Sequence, residues 1–166
     1  IALLPADGSG PLRVLPASTN LFKSGGRWSP DGETIVITQI VPGSDRDLFT
    51  IVAEHAGAPR PLADDPGSQG QDATISADGR WVTYDSEVGG TRQVFVRRFP
   101  DGSDKVQITT AGGVLPRWVR GGREIVYLGN DRRTYFSVPF VPGPASGPVT
   151  PRQLFPLPPG MSPFGW

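Results

Sequence analysis

Three stretches of this chain repeat one pattern around a glycine, and the repeat constrains the fold more than any other feature. Arg27 to Thr38 reads RWSPDGETIVIT, Thr74 to Asp85 reads TISADGRWVTYD, and Arg117 to Leu128 reads RWVRGGREIVYL. From Gly32 to Gly79 is 47 residues and from Gly79 to Gly122 is 43, and the same offsets superpose Trp28, Ile75 and Trp118 ahead of each turn. A period in this range overrides segment-by-segment assignment, because each unit is one supersecondary element that buries its apolar surface against its neighbours.

Each unit reads as short antiparallel strands joined by tight turns. Pro30 presets φ at the first turn position, Asp31 and Asp78 can bond nearby backbone, and Gly32, Gly79 and Gly122 can take positive φ without a Cβ clash. These six residues are assigned to the turns. A second strand follows at Thr34 to Gln39, Trp81 to Asp85 and Glu124 to Leu128, rich in the β-branched and aromatic residues that suit a pleated buried surface. A third is expected at Asp47 to Val52, Gln93 to Arg97 and Thr134 to Val138. A fourth is expected at Arg60 to Leu62, Lys105 to Thr109 and Arg152 to Phe155.

Four strands in about 45 residues, repeated, is the arithmetic of a β-propeller blade. No window of a dozen residues has a 3.6-residue apolar period free of Gly or Pro, so an almost helix-free, all-β chain is expected. Ile1 to Leu4 and Leu12 to Leu15 fit the third and fourth strands of a preceding blade, around the turn Ala6-Asp7-Gly8. The expected organisation is a single propeller fragment: 1–16 ends one blade, 17–64, 65–110 and 111–156 are complete blades, and 157–166 is an irregular tail or the start of another. Propellers close with roughly 4 to 8 blades, so three and a half blades predict an open arc. Open arcs present strand edges and blade faces, and self-association through them is a further expectation.

The repeat also settles an ambiguity of composition. Of 166 residues, 22 are Gly and 19 Pro, a density that fits either disorder or many turns. With 37% hydrophobic residues, aromatics present and recurrence at the blade turns, the second reading holds, and about fourteen short strands are expected. Only Pro139 to Pro151 and Pro156 to Pro163 are expected to be irregular or mobile. Sixteen basic and sixteen acidic residues cancel, which removes the footprint of a nucleic-acid binder or a polybasic membrane-surface protein. The apolar runs fall far short of the roughly 20 residues of a spanning helix, so no membrane insertion is expected. The first residues lack a basic leader, and the chain reads as beginning inside a fold. The absence of Cys excludes disulfides and thiolate metal sites but suits cytoplasm and periplasm alike, so the compartment stays open.

The WSPDG of Trp28 to Gly32, the run ISADGRWVTYDSEVGGTRQVFVRRFPDG of Ile75 to Gly102 and the ITTAGGVLPRW of Ile108 to Trp118 resemble WD40-like repeats of the TolB type, over nearly the whole chain. Within that group the stretch Ile75 to Phe155 is most similar to the propellers attached to bacterial serine/threonine protein kinases. Similar repeats stand beside the hydrolase domain of prolyl-oligopeptidase-like enzymes. The resemblance implies a bacterial, non-enzymatic module for protein, peptide or ligand binding, possessing no cofactor. The sequence departs from the pattern at Ala77, where Pro is usual, and at Arg120-Gly121-Gly122, which lacks the turn Asp. An Asp that is dispensable in one blade reads as a turn residue rather than a ligand.

Catalytic constellations are wanting. A hydrolase needs nucleophile, base and orienting acid together, and the sequence has a single His, His55, in a polar turn, and no G-x-S-x-G. Asp64-Asp65 and Asp45/Asp47 lack the spacing of a calcium loop, and the Gly-rich stretches Gly67 to Gly70 and Gly112-Gly113 are followed by no Walker Lys, so no metal and no phosphate cradle is assigned. The residues singled out for binding are Arg27, Thr74 and Arg117, which share one repeat position on the strand nearest a propeller's channel. Lining that channel, they would take up anionic groups or a partner's carboxylates. The alternative is that each Arg packs its stem on the adjacent Trp and bonds a loop carbonyl.

Overall fold

The computed structural model describes residues 2–15, 23–41, 45–54, 57–63, 70, 73–143 and 149–163. Strands β1 (Ala2–Leu3) and β2 (Arg13–Val14) pair as a two-stranded sheet. Three four-stranded antiparallel meanders follow in chain order. The second sheet holds β3 (Lys23–Trp28), β4 (Thr34–Val41), β5 (Asp45–Val52) and β6 (Arg60–Pro61). The third holds β7 (Thr74–Ile75), β8 (Trp81–Val88), β9 (Thr91–Arg98) and β10 (Val106–Gln107), and the fourth β11 (Val114–Val119), β12 (Glu124–Leu128), β13 (Thr134–Pro139) and β14 (Arg152–Pro156). Among the described residues the only helical turn is a 3₁₀ turn at Arg120–Gly122. The all-β expectation and the half-plus-three-blade organisation of the sheets therefore hold.

Strand pairing follows the repeat. Trp28 lies opposite Ile35, Ile75 opposite Val82 and Trp118 opposite Ile125, so the three first hairpins share one register. The outermost strands are shorter than expected in the second and third sheets: Arg60–Pro61 in place of Arg60 to Leu62, and Val106–Gln107 in place of Lys105 to Thr109. Ile108 still donates its amide to Val94 at 2.8 Å, but Thr109 then turns its hydroxyl, not its backbone, onto the Val94 amide, which ends the ladder. Pro139 and Pro156 belong to β13 and β14 rather than to irregular chain; each closes its strand, where a missing N–H is tolerated.

Because side chains alternate along a strand, each sheet carries two apolar faces and supplies one to each neighbour. Ile35 and Ile37 of β4 pack toward the first sheet with Leu15, Ile51, Leu3 and Phe49. Val36 and Leu48 turn the other way and meet Val82, Tyr84, Phe95 and Phe99 of the third sheet. Trp81, Val94 and Val96 on its opposite face meet Ile125, Tyr127, Val138 and Phe140 of the fourth. Residues 81–86 are consequently buried without a break, the signature of a strand covered on both sides. Each such side chain contributes about 1.5–3 kcal/mol when fully buried. The sheets thus stack face to face in an arc, with sequential joints and, among the described residues, no ring closure.

Candidate functional site

The three singled-out positions occupy one register point on the innermost strands. Arg27 lies opposite Val36, Thr74 opposite Thr83 and Arg117 opposite Val126. Strands β3, β7 and β11 touch in sequence, so these positions follow one another along the inner edge of the arc. Two of them converge on one atom: the Thr74 hydroxyl and Arg117 Nη1 both donate to the carbonyl of Pro116, at 3.3 and 3.0 Å. Arg27 is exposed. The neighbouring Trp118 is half-buried in the joint between the third and fourth sheets, its Nε1 donating to the Thr74 carbonyl at 3.0 Å and its ring edge-on to Phe140 at 5.2 Å. Trp28 at the equivalent place is 49% exposed.

The turn residues form a recurring local network. The Ser29 hydroxyl donates to Asp31 and accepts the Thr34 amide, while Asp31 also accepts the Glu33 amide. Ser76, Asp78, Arg80 and Trp81 reproduce it in the third sheet. Gly32 and Gly79 close these turns at φ 75° and 70°, and Pro30 is exposed at the corner of the first. In the fourth sheet Arg120, Gly121 and Gly122 all take left-handed φ (50°, 67° and 87°), so successive residues with positive φ reverse the chain where the Asp is missing. The hairpin register survives, with Val119 opposite Glu124.

Hydrogen bonding lowers the pKa of these carboxyls. The Ser29 hydroxyl and the Glu33 amide hold Asp31 below the ordinary Asp value. Burial pushes Asp78 upward, but bonds from Ser76 and Arg80 together with the Arg80 charge outweigh it, and the net direction is down. Asp101, in the turn between β9 and β10, and Asp131, in the turn between β12 and β13, are held low by Ser103 and by Thr134 with Arg133 respectively. All four carboxylates are thus engaged with their own turns.

Of the remaining sequence candidates, His55, Asp64, Asp65 and Gly67 lie outside the described residues. Gly112 and Gly113 bind the end of β9: Gly112 donates to the Gln93 side chain at 3.1 Å and Gly113 to the Arg92 carbonyl at 2.9 Å. Among the described residues no group of three His, Cys, Asp or Glu gathers as a metal site, and no helix is long and apolar enough to cross a membrane.

Sequence reasoning passed over two charged arrangements. Asp85, buried on β8, is ion-paired with Arg92 and accepts the Leu115 amide at 3.4 Å. Asp85 and Arg92 share the β8–β9 hairpin, and only the packing of the third sheet on the fourth brings the distant Leu115 of β11 to the pair. The other is a cleft of about 510 Å3 on the fourth sheet, lined by Arg120, Arg123, Arg152, Glu124 and Ser137. There Glu124 is held below its ordinary value by the Ser137 hydroxyl first and then by Arg120 and Arg152, the former at 2.9 Å.

No protein-family model matches the sequence, and no curated protein matches it. Solved structures do. A protein assigned as TolB from Agrobacterium tumefaciens superposes with a TM-score of 0.73 at 24% identity over 94% of this chain and 56% of its own. TolB from Acinetobacter baumannii gives 0.61 at 17% identity, over 78% of this chain and 32% of its own. A puromycin hydrolase gives 0.61 at 20% identity, over 81% of this chain and 24% of its own. The chain spans little more than half of the first structure and about a third or less of the others. Likeness at this level of identity concerns architecture, and the stacked meanders described above are that architecture: the chain has the fold of a partial β-propeller of the TolB type.

Proposed function

We propose that the chain is a non-enzymatic binding module, the sensor or scaffold portion of a bacterial signalling kinase, which engages a protein or peptide partner along the inner edge of its arc. The observation that carries this reading is the alignment of Arg27, Thr74 and Arg117 at one register point on three touching strands. The engagement of Asp31, Asp78, Asp101 and Asp131 in their own turns supports it, since those carboxylates are committed to structure rather than chemistry. The kinase association rests on the similarity of Ile75 to Phe155 to kinase-attached propellers. It is tested by reading the gene on both sides: an adjoining kinase domain is expected, and its absence refutes that association. For the binding surface, Arg27→Ala with Arg117→Ala should leave the far-ultraviolet circular dichroism unchanged and abolish capture of the partner. Unchanged capture removes the inner edge from the reading.

Similarity to the puromycin hydrolase favours a second reading, a propeller that gates the catalytic domain of a prolyl-oligopeptidase-like hydrolase. A neighbouring G-x-S-x-G domain in the gene would select it. Turnover of peptide or ester substrates by this chain, lost on His55→Ala, would refute the non-enzymatic reading altogether.

A further inference from the structure

We infer that two copies of this chain close into one ring, the outer side of the fourth sheet of each copy seated on the outer side of the first sheet of the other. Every joint within the chain has the same sense: the side of a sheet that faces the next in sequence meets the earlier-facing side of that next sheet. Leu3 and Leu15 meet Ile35 and Ile37 in this way, Val36 and Leu48 meet Val82 and Tyr84, and Trp81 and Val94 meet Ile125 and Tyr127. Two sides are left over. The first sheet keeps its earlier-facing side and the fourth its later-facing side, and these are the two halves of one such joint.

Both sides carry exposed apolar groups. Leu3 and Leu15 turn toward the second sheet, so alternation turns Ala2 and Val14, which pair across β1 and β2, away from it. Val14 is 67% exposed, and Leu4 and Leu12, just beyond the pair, are 63% and 59% exposed. On the fourth sheet Ile125, Tyr127 and Phe136 turn toward the third, so Val126 and Tyr135 turn outward. The Tyr135 ring lies 5.3 Å from that of Phe155, which is 56% exposed. Large apolar side chains gathered on a surface mark a contact. Two like sides have no counterpart among the joints of the chain, whereas unlike sides repeat a contact that it makes three times. Head-to-tail contacts give a ring when the rotation closes and a filament when it does not. Each copy holds three four-stranded sheets and one half sheet, so two copies supply seven blades, within the roughly 4 to 8 at which propellers close. The product is a dimer with two identical junctions.

Sedimentation of the full chain over a concentration series tests this. The mass should rise with concentration and level off at twice 17.7 kDa. Val14→Asp puts a charge on the free side of the first sheet and Phe155→Asp on that of the fourth. Both positions are exposed, so the far-ultraviolet circular dichroism of each variant should match the wild type, with Leu12→Asp as a second variant on the first sheet. Every junction of the ring contains one side of each kind, so either substitution damages both junctions and should raise the midpoint of association about tenfold or more. An equimolar mixture of Val14→Asp and Phe155→Asp forms a dimer in which one junction has two wild-type sides, and it should associate at lower concentration than either variant alone. A mass that stays at one chain, growth past two chains, wild-type association of either variant, or a mixture no better than its components overturns the proposal.

Discussion

Replacing Gly102 by Ala tests the claim that stability resides in the joints between sheets. Gly102 stands in the outer turn between β9 and β10 with φ 74°, its carbonyl accepting from Arg97 Nη1. A Cβ built there would lie 3.0 Å from the carbonyl carbon of Leu62 and closer still to its oxygen. Leu62 directly follows β6 of the second sheet, its amide donating to the Leu48 carbonyl at 2.8 Å, so the turn presses directly on backbone across a joint. Two terms add. The left-handed backbone with a Cβ costs roughly 1–2 kcal/mol, and relieving an overpacked contact costs about 1–3 kcal/mol more. Gly79→Ala provides the control: its φ is 70°, but its nearest neighbour is the flexible ring of Pro30 at 3.8 Å. It should show the first term alone. Urea denaturation of both variants yields the difference, which should be about 1–3 kcal/mol in excess for Gly102→Ala, a large part of a total stability of about 5–15 kcal/mol. Equal losses in the two variants would refute the claim that the turn contact holds the joint.

Further outcomes are expected from the polar groups. Because Asp31, Asp78, Asp101 and Asp131 have lowered pKa values when folded, their stabilisation is present above the unfolded Asp value of about 3.9 and is lost as pH falls through the lowered folded values. The urea midpoint should therefore fall on acidification below about pH 4, and less steeply in the Asp31→Asn, Asp78→Asn double variant. Tyr127 has its pKa pushed up to about 12 by burial. Stability should accordingly fall as pH rises from the ordinary value of about 10, and phenolate absorbance at this residue should appear only near the raised value, as difference spectra against Tyr127→Phe will show. Ser76→Ala removes a donor to Asp78 and an acceptor for the Trp81 amide, and thermal unfolding should register a loss of about 1–3 kcal/mol. Arg92→Met strands the Asp85 carboxylate and should cost about 3 kcal/mol, most of it recovered in Arg92→Met, Asp85→Leu if the ion pair is the cause.

The blade arithmetic was legible because it rests on local signals: a turn glycine, a preceding aromatic and alternating apolar residues, all within a dozen positions. Gly32 and Gly79 sit where turn chemistry places them, and Gly122 keeps its hairpin through the left-handed run that begins at Arg120. The ends of the outer strands were less legible, because Thr109 competes for the ladder with its hydroxyl, a choice that apolar patterning does not encode. The candidate site was legible only as a shared repeat position. That Thr74 and Arg117 meet at the Pro116 carbonyl depends on the approach of β7 to β11. Such long-range approaches leave no periodic trace.

The placement of the tryptophans has a spectroscopic consequence. Among the described residues, Trp81 and Trp118 both stand in the joint between the third and fourth sheets, each edge-on to Phe140, whereas Trp28 is already half in water. The emission of Trp81 and Trp118 is thus a local gauge of one joint, while far-ultraviolet circular dichroism averages over all four sheets. Stacked units with nearest-neighbour coupling can open at a single interface while the others stay closed. Emission that shifts before or after the dichroism changes would therefore mark when this particular joint opens, and coincident curves would mean that the arc melts as one cooperative body.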